Sequence, residues 1–432
     1  MKIKRNARVA ACGAVGALVF GLMGAAPASA DSGHSHHGDD DHGHHAPSAL
    51  FVSPGGSSSQ SGRNCWSAGY SNIGDAVAAA PAGGVVFVCP GTYKEDVIVN
   101  KPLTLLGIDA TVDATGLENA IQVVASHVSV SGFTLENANG EGLLVGIDAE
   151  ADIALLPASG PVLSNDAVWD VNATNDDQGF NGTENSNCKY AGDCGGGIHL
   201  NGTTHAWVAN NSVTHNADGI LVTDDYAPTS YNEIVGNIVD DNPHECGIVL
   251  AGHNGGAVSF DSTTFALTGR NKSVAGIWGN VIVGNVADRN GTDIAPPQFG
   301  GGGSGSGIGL FGSAPGTGVY DNYIAGNEAS GNGLAGYAMH AHLPGGEDIN
   351  GNVVVHNDFG TNNVGGDGFD GPPTVDFQTT GIAVYSASAA QMVIADNRIH
   401  DDAIGIWHST IVTVNGINSN HDHNVGTAVV TG

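Results

Sequence analysis

Short apolar strands that open on glycine recur along the chain: Gly197-Ile198-His199-Leu200, Gly219-Ile220-Leu221-Val222, Gly247-Ile248-Val249-Leu250, Gly307-Ile308-Gly309-Leu310, Gly381-Ile382-Ala383-Val384 and Gly405-Ile406-Trp407. Alternation within a strand predicts that residues such as Ile220 and Val222 point inward while their neighbours face solvent. Between the strands, asparagines return in pairs five residues apart: Asn211 and Asn216, Asn237 and Asn242, Asn285 and Asn290, Asn327 and Asn332, Asn357 and Asn362, with Asp402 replacing the second after Asn397. Four of these extend back five further residues, to Asn232, Asn280, Asn322 and Asn352. Weaker copies come earlier, in Gly132 and Asn137 with Gly142-Leu143-Leu144-Val145, and in Asn165 and Asp170.

The unit recurs about eight times at spacings of roughly 24 to 48 residues. Strands this short are not stable alone, and the Gly, Asn and β-branched content excludes helices. They become stable when successive copies stack, each strand bonding to its counterpart about 4.8 Å away. The expected fold is therefore all-β, a single-stranded right-handed parallel β-helix (solenoid) with a short N-terminal capping helix. Asparagine suits the corners, because it tolerates left-handed backbone and its amide can bond the equivalent amide above and below. The capping helix is read at Ile73-Gly74-Asp75-Ala76-Val77-Ala78-Ala79-Ala80, placed to cover an open strand edge that would otherwise invite aggregation.

After that helix, Val85-Val86-Phe87-Val88-Cys89-Pro90-Gly91-Thr92-Tyr93-Lys94-Glu95-Asp96-Val97-Ile98-Val99 and Lys101-Pro102-Leu103-Thr104-Leu105-Leu106-Gly107 resemble the opening coils of the pectin-lyase-like superfamily. That group includes pectin esterases, polysaccharide lyases, polygalacturonases and uronan epimerases. The resemblance spans roughly residues 70 to 425 and implies the fold, not one reaction. Asn216-Ala217-Asp218 with Asp224-Asp225 is similar to the N-x-D and D-D pair of polygalacturonases, but the elements lie too close together. Asn242-Pro243-His244-Glu245 is similar to the D-P-H-E motif of mannuronan epimerases, with Asn242 in place of aspartate. Val375-Asp376-Phe377 resembles an aspartate-bearing stretch of pectin esterases without their glutamine-rich oxyanion motif.

The ends of the chain modify this picture. Lys2, Lys4, Arg5 and Arg8 precede an apolar run ending in Ala28-Ser29-Ala30, so residues 1–30 read as a signal peptide and the protein as secreted, extracellular or cell-wall associated. No other segment has the apolar length to span a bilayer. Residues 31–62 read as a disordered His/Asp- and Gly/Ser-rich tail, and residues 63–432 as the β-helix domain, expected to be monomeric. In the tail His34, His36, His37, His42, His44 and His45 are candidate ligands for zinc, copper or nickel on composition alone.

Removing the first thirty residues leaves eight basic against 43 acidic residues, a net charge of −35. Such a chain will not track a nucleic-acid backbone. It also repels polyanionic sugars, unless a cation bridges them or Arg63, Lys94, Lys101, Lys189, Arg270, Lys272, Arg289 and Arg398 gather where substrate lies. Calcium is a candidate cofactor, because Asn175-Asp176-Asp177 and Asp401-Asp402 offer hard oxygen ligands. In an oxidising compartment Cys188 and Cys194 are expected to form a local disulfide, Cys65 and Cys89 to staple the entry of the fold, and Cys246 to remain a buried thiol.

Insertions collect just before the glycine strands (171–196, 291–306, 363–380) or just after them (224–231, 251–275), and are expected to wall a groove over those strands. Registering the strands on their glycines, with Gly336 opening the fifth, puts Asn201, Thr223, Ala251, Phe311, His340 and Tyr385 in one outward row. Two places further stand Asp225, His253 and His342. Phe311, His340 and Tyr385 are therefore expected as neighbours, with His253 and His342 beside them and Trp407 and Asp224 at the margins. Rings cover apolar sugar faces and titrating groups move protons, so the row is a candidate site for extracellular polysaccharide. A lyase-like reading uses His340 and Tyr385 as base and acid, with His253, His342 and Asp225 as further catalytic candidates and Arg289 or Arg270 neutralising a uronate. A hydrolase-like reading needs two carboxylates across the scissile bond, whereas Asp224 and Asp225 are adjacent. The alternative is a non-catalytic solenoid that binds glycan or metal.

Overall fold

The computed structural model describes residues 49–147, 162–174, 176, 196–293, 305–341, 345–364 and 378–432. The expected signal peptide, the histidine tract, the Cys188 and Cys194 pair, His342 and the Val375-Asp376-Phe377 stretch lie outside them.

Each coil is built from five-residue steps. In Tyr231 to Asn242 the step opens on a left-handed residue (Tyr231 φ 58°, Gly236 φ 65°, Asp241 φ 58°), continues with a buried asparagine, and ends in a three-residue strand. The middle residue of each strand, Ile234 and then Val239, is fully buried. The left-handed position is thus the residue before the ladder asparagine, not the asparagine itself, and this corrects the expected reason for asparagine at the corners. It also moves the weaker repeats by one place. Asn137, Asn165 and Asp170 are the left-handed residues (φ 67°, 58° and 50°), so the ladder positions beside them are Ala138, Asp166 and Val171.

What selects asparagine is burial with complete hydrogen bonding. The backbone N–H and Nδ2 of Asn237 both donate to Oδ1 of Asn285, each at 2.9 Å, and Nδ2 also donates to the Val208 carbonyl at 3.0 Å. One side chain so ties three coils together while leaving no buried amide group unpaired, the condition on which burying a polar group depends. The same bonds repeat along Asn211, Asn237, Asn285, Asn327, Asn357, Asn397 and Asn420. Flanking columns run through Asn232, Asn280, Asn322 and Asn352, and through Asn216, Asn242, Asn290, Asn332 and Asn362 to Asp402.

Among the described residues the glycine strands form an eleven-stranded parallel sheet, running from Val97–Val99 through Gly196–Asn201, Asp218–Thr223, Ile248–Gly252, Ile308–Gly312, Tyr337–Ala341, Thr380–Ser386 and Ile404–His408 to Thr427–Thr431. A sixteen-stranded sheet carries the asparagine steps, and a five-stranded sheet lies between the two along each coil. The inward residues stack in register, with Ile198, Ile220, Ile248, Ile308, Tyr337, Ile382 and Ile406 as one buried column. Their outward neighbours are not simply solvated. Leu221 and Val249 are buried outside the sheet in a second cluster with Cys246, Ala251 and Phe311. Burial pushes the Cys246 thiol well above its ordinary value, so it is an inert packing group.

At the N-terminal end, Ala49–Val52 pairs with Val85 to Val88, so the ordered body begins before residue 63 and takes in residues 49–62, which were expected to belong to the tail. The helix Ile73–Ala79 turns Ile73, Ala76 and Val77 into the core. Glu95 accepts hydrogen bonds from the N–H groups of Ile73 and Gly74 at 2.8 and 2.9 Å, satisfying two donors that a helix start leaves open. A Cys65–Cys89 disulfide joins this entry segment to the first coil. None of the described helices is long and apolar enough to cross a membrane.

Candidate functional site

The outward row forms as the glycine register predicts: Asn201, Thr223, Ala251, Phe311, His340 and Tyr385 are successive partners on adjacent strands. The Phe311 and His340 rings lie 4.2 Å apart, centre to centre, and the Tyr385 and Trp407 rings 6.4 Å apart. Phe311 and Tyr385 are half-buried, whereas His340 and Trp407 are buried. Trp407 pairs with Ala383, two residues before Tyr385, so it backs the row from beside it.

Polar chemistry concentrates at the other end of the row. Nδ1 of His253 lies 2.7 Å from Oδ1 of Asp225. The other Asp225 oxygen accepts from the Thr223 hydroxyl at 2.7 Å and from Nδ2 of Asn201 at 2.6 Å, and Oδ1 of Asn201 accepts the Asp225 N–H. Thr223 is also 2.9 Å from Nε2 of His199, whose Nδ1 is 2.9 Å from Glu141. A continuous string thus runs Glu141, His199, Thr223, Asp225, His253 across four neighbouring coils. Burial works to raise the Asp225 carboxyl, but the hydrogen bond and charge of His253, the charge of His199 and the Thr223 hydroxyl outweigh it. The net effect holds Asp225 below the ordinary carboxylate range, ionised and fixed in direction. Asp225 and His253 each leave about a fifth of the side chain exposed, so solvent reaches the string at this pair.

Asp224 belongs elsewhere. Its carboxylate is fully buried and accepts the N–H groups of His253, Asn254 and Gly276, so it anchors the turns that present His253 and is closed off from solvent. Burial raises it to about 6, opposed by the His253 and Asn254 N–H groups. The two arginines expected to neutralise a uronate are also placed away from the row. Arg270 ends the antiparallel hairpin Val258–Phe260 with Leu267–Arg270, pairs with Asp348 and Asp321, and lies 3.8 Å over the Tyr320 ring. Arg289 is the left-handed corner residue before Asn290 and grips Asp241 with two hydrogen bonds, at 2.7 and 2.8 Å. Asn216 and Asn242, the tempting motif residues, are ladder amides.

Glu141 and His199 are the residues of this string that the sequence did not place at the candidate site, whereas Asn201 and Thr223 stood in the expected row. His199 carried a signal, as the polar residue among the apolar second positions of the glycine strands. Glu141 carried none, because it precedes a strand one coil earlier and meets His199 only on stacking. Among the described residues no group of three or more His, Cys, Asp or Glu side chains is arranged to hold a metal ion. Of the expected calcium ligands, Asp402 is a ladder residue, Asp401 bonds His400 and Asn424, and Asp176 accepts the Ala138 N–H.

No protein-family model and no curated protein matches the sequence. Among solved structures, a lacto-N-biosidase from Eubacterium ramulus is similar over 87% of this chain and 68% of its own, at 10% identity and a TM-score of 0.51. A pectate lyase is similar over 87% of this chain and 78% of its own, at 15% identity and a TM-score of 0.48. The A-module of a mannuronan C-5 epimerase from Azotobacter vinelandii is similar over 83% of this chain and 93% of its own, at 14% identity and a TM-score of 0.41. At such identities the likeness concerns backbone alone, and together with the parallel strand register it makes this chain a right-handed parallel β-helix.

Proposed function

We propose that the chain is a secreted carbohydrate-active β-helix that hydrolyses glycosidic bonds, with His253 giving its proton to the leaving glycosidic oxygen as water adds at the anomeric carbon, the proton that water loses restoring the imidazolium, and Asp225 as the positioning partner of His253. The observation that carries this reading is the 2.7 Å contact between His253 and an Asp225 carboxylate that Thr223 and Asn201 hold from the opposite side. A carboxylate held to one imidazole nitrogen sets the tautomer and stabilises the charged ring, so that proton exchange runs through the other nitrogen. Phe311 and Tyr385 supply ring faces along the same row for the sugar chain. Solved structures of similar fold include a lacto-N-biosidase, which accords with glycan cleavage. A lyase reaction centred on His340 and Tyr385 is less well supported, because His340 is buried against Phe311 and both proposed counter-ions are paired elsewhere.

The test is release of new reducing ends from a panel of polysaccharides. Removing a general acid–base group slows a reaction by about 100-fold or more, so His253→Ala and Asp225→Asn should both lose activity on that scale. Full activity in His253→Ala would overturn the assignment. The aromatic row also suits a non-catalytic glycan-binding solenoid, which would retain binding with no product.

A further inference from the structure

We infer that the outer face of the eleven-stranded sheet takes an uncharged glycan, one without uronate, sulfate or phosphate groups; this rests on the reading of Asp225 and His253 given above. Seven of the eight basic residues after position 30 lie among the described residues, and Lys189 lies outside them. Arg270 and Arg289 are held by aspartates on other faces, and Arg398 donates to Asp358 at 2.7 Å. Lys101 donates to the carbonyls of Ala78 and Ala80 beside the capping helix. Lys272 sits 5.2 Å over the Trp278 ring, in the apolar cluster with Tyr320. Lys94 lies close enough to Asp113 to lower its carboxyl, and Arg63 is exposed ahead of the Cys65–Ser67 turn. Each of the seven described lysines and arginines has a place, and none of these places is on the row from Asn201 to Tyr385.

The row itself carries the rings of Phe311, His340 and Tyr385, and beside its Asn201 and Thr223 end three carboxylates, Glu141, Asp225 and the buried Asp224, stand against two histidines, His199 and His253, so the carboxylates outnumber the imidazoles even when both rings are charged. A uronan laid along the row would bring one further carboxylate for every sugar into that field. From Thr223 to Tyr385 is four strand steps, roughly 19 Å, so several sugars contact the row at once and their repulsions add. The long-range field of a chain with net charge −31 opposes the same polyanion during approach. Neutral pyranoses meet neither penalty, and their C–H faces fit the half-buried rings of Phe311 and Tyr385.

The experiment is affinity electrophoresis of the full chain through gels containing polygalacturonate or, separately, uncharged galactan, glucan, mannan or xylan. It is run at low and high sodium chloride, with calcium and with a chelator. At least one uncharged glycan should retard the protein at a concentration tenfold or more below any effect of polygalacturonate, and Phe311→Ala with Tyr385→Ala should abolish that retardation. Glu141→Gln and, independently, Asp225→Asn should narrow the gap, as should high salt. Equal or stronger retardation by polygalacturonate, with or without calcium, overturns the inference. Charge selection and catalysis separate cleanly: selective binding with undiminished cleavage by His253→Ala defeats the acid–base reading alone, while uronan binding with cleavage lost in that variant defeats the charge selection alone. A chain retarded by no glycan defeats both.

Discussion

Replacing Asp402 by asparagine should stabilise the protein, and increasingly so as pH rises from about 4 to 7. Asp402 closes a column of asparagines: its Oδ1 accepts the Asn362 N–H at 3.0 Å, as a ladder amide would, but its buried Oδ2 has no partner. Along the column, Nδ2 donates to the carbonyl three residues before the preceding ladder residue, at Ala173, Val213, Val239, Ala287 and Ala329. By the same rule the Nδ2 of an asparagine at 402 would donate to the Phe359 carbonyl, whereas the buried Oδ2 of Asp402 gains no hydrogen bond, so burial favours the neutral acid. Burial pushes it up to about 7; the Asn362 N–H opposes this and the charge of Asp401 adds to it. Below the ordinary value of 3.8 both folded and unfolded chains hold the proton, and the aspartate costs nothing. Between there and about 7 the unfolded chain ionises while the folded chain does not, and stability falls by about 1.4 kcal/mol for each pH unit. The full loss is at most about 4 kcal/mol and roughly half that with partial screening. Urea denaturation of wild type and Asp402→Asn at several values from pH 4 to 8 measures it. Midpoints that converge at pH 4 and separate in favour of asparagine by pH 8 are expected. A gap that does not change with pH, or a less stable variant at pH 8, would refute the reasoning.

Two further outcomes follow from the same geometry. Asn285→Ala removes the two bonds that its side chain donates and strips the Asn237 N–H and Nδ2 of their shared acceptor, so at about 1–3 kcal/mol for each stranded group it should cost several kcal/mol and lower the melting temperature sharply. Arg270→Gln breaks the pairs with Asp348 and Asp321 far from the row, so it should leave glycan cleavage and affinity unchanged while lowering stability by about 1–3 kcal/mol, because the Asp348 carboxylate it leaves behind is buried; a loss of activity would return Arg270 to the site.

Much of the site was legible because a solenoid turns sequence order into spatial order. Counting from the strand glycines correctly placed Phe311, His340 and Tyr385 in one row and brought Asp225 together with His253. The count failed where a residue's neighbours come from a different element. Arg270 rides an antiparallel hairpin that leaves the coil, and Arg289 sits on a corner, so neither is indexed by the strand register. Glu141 is a polar residue of unremarkable context until His199 stacks above it.

The sequence by itself determined the coil: the five-residue step, the burial of asparagine in columns, and the outward row, all of which depend on local periodicity and on identical units stacking at a fixed spacing. Tertiary structure alone decided which polar groups work together. The Asp225 and His253 contact, the string back to Glu141, and the difference between a turn-anchoring Asp224 and an ionised Asp225 one residue later depend on hydrogen-bond partners drawn from other coils. The physical reason is that periodicity specifies where a side chain starts, whereas its charge and role depend on what surrounds it, and insertions of unequal length between coils supply those surroundings.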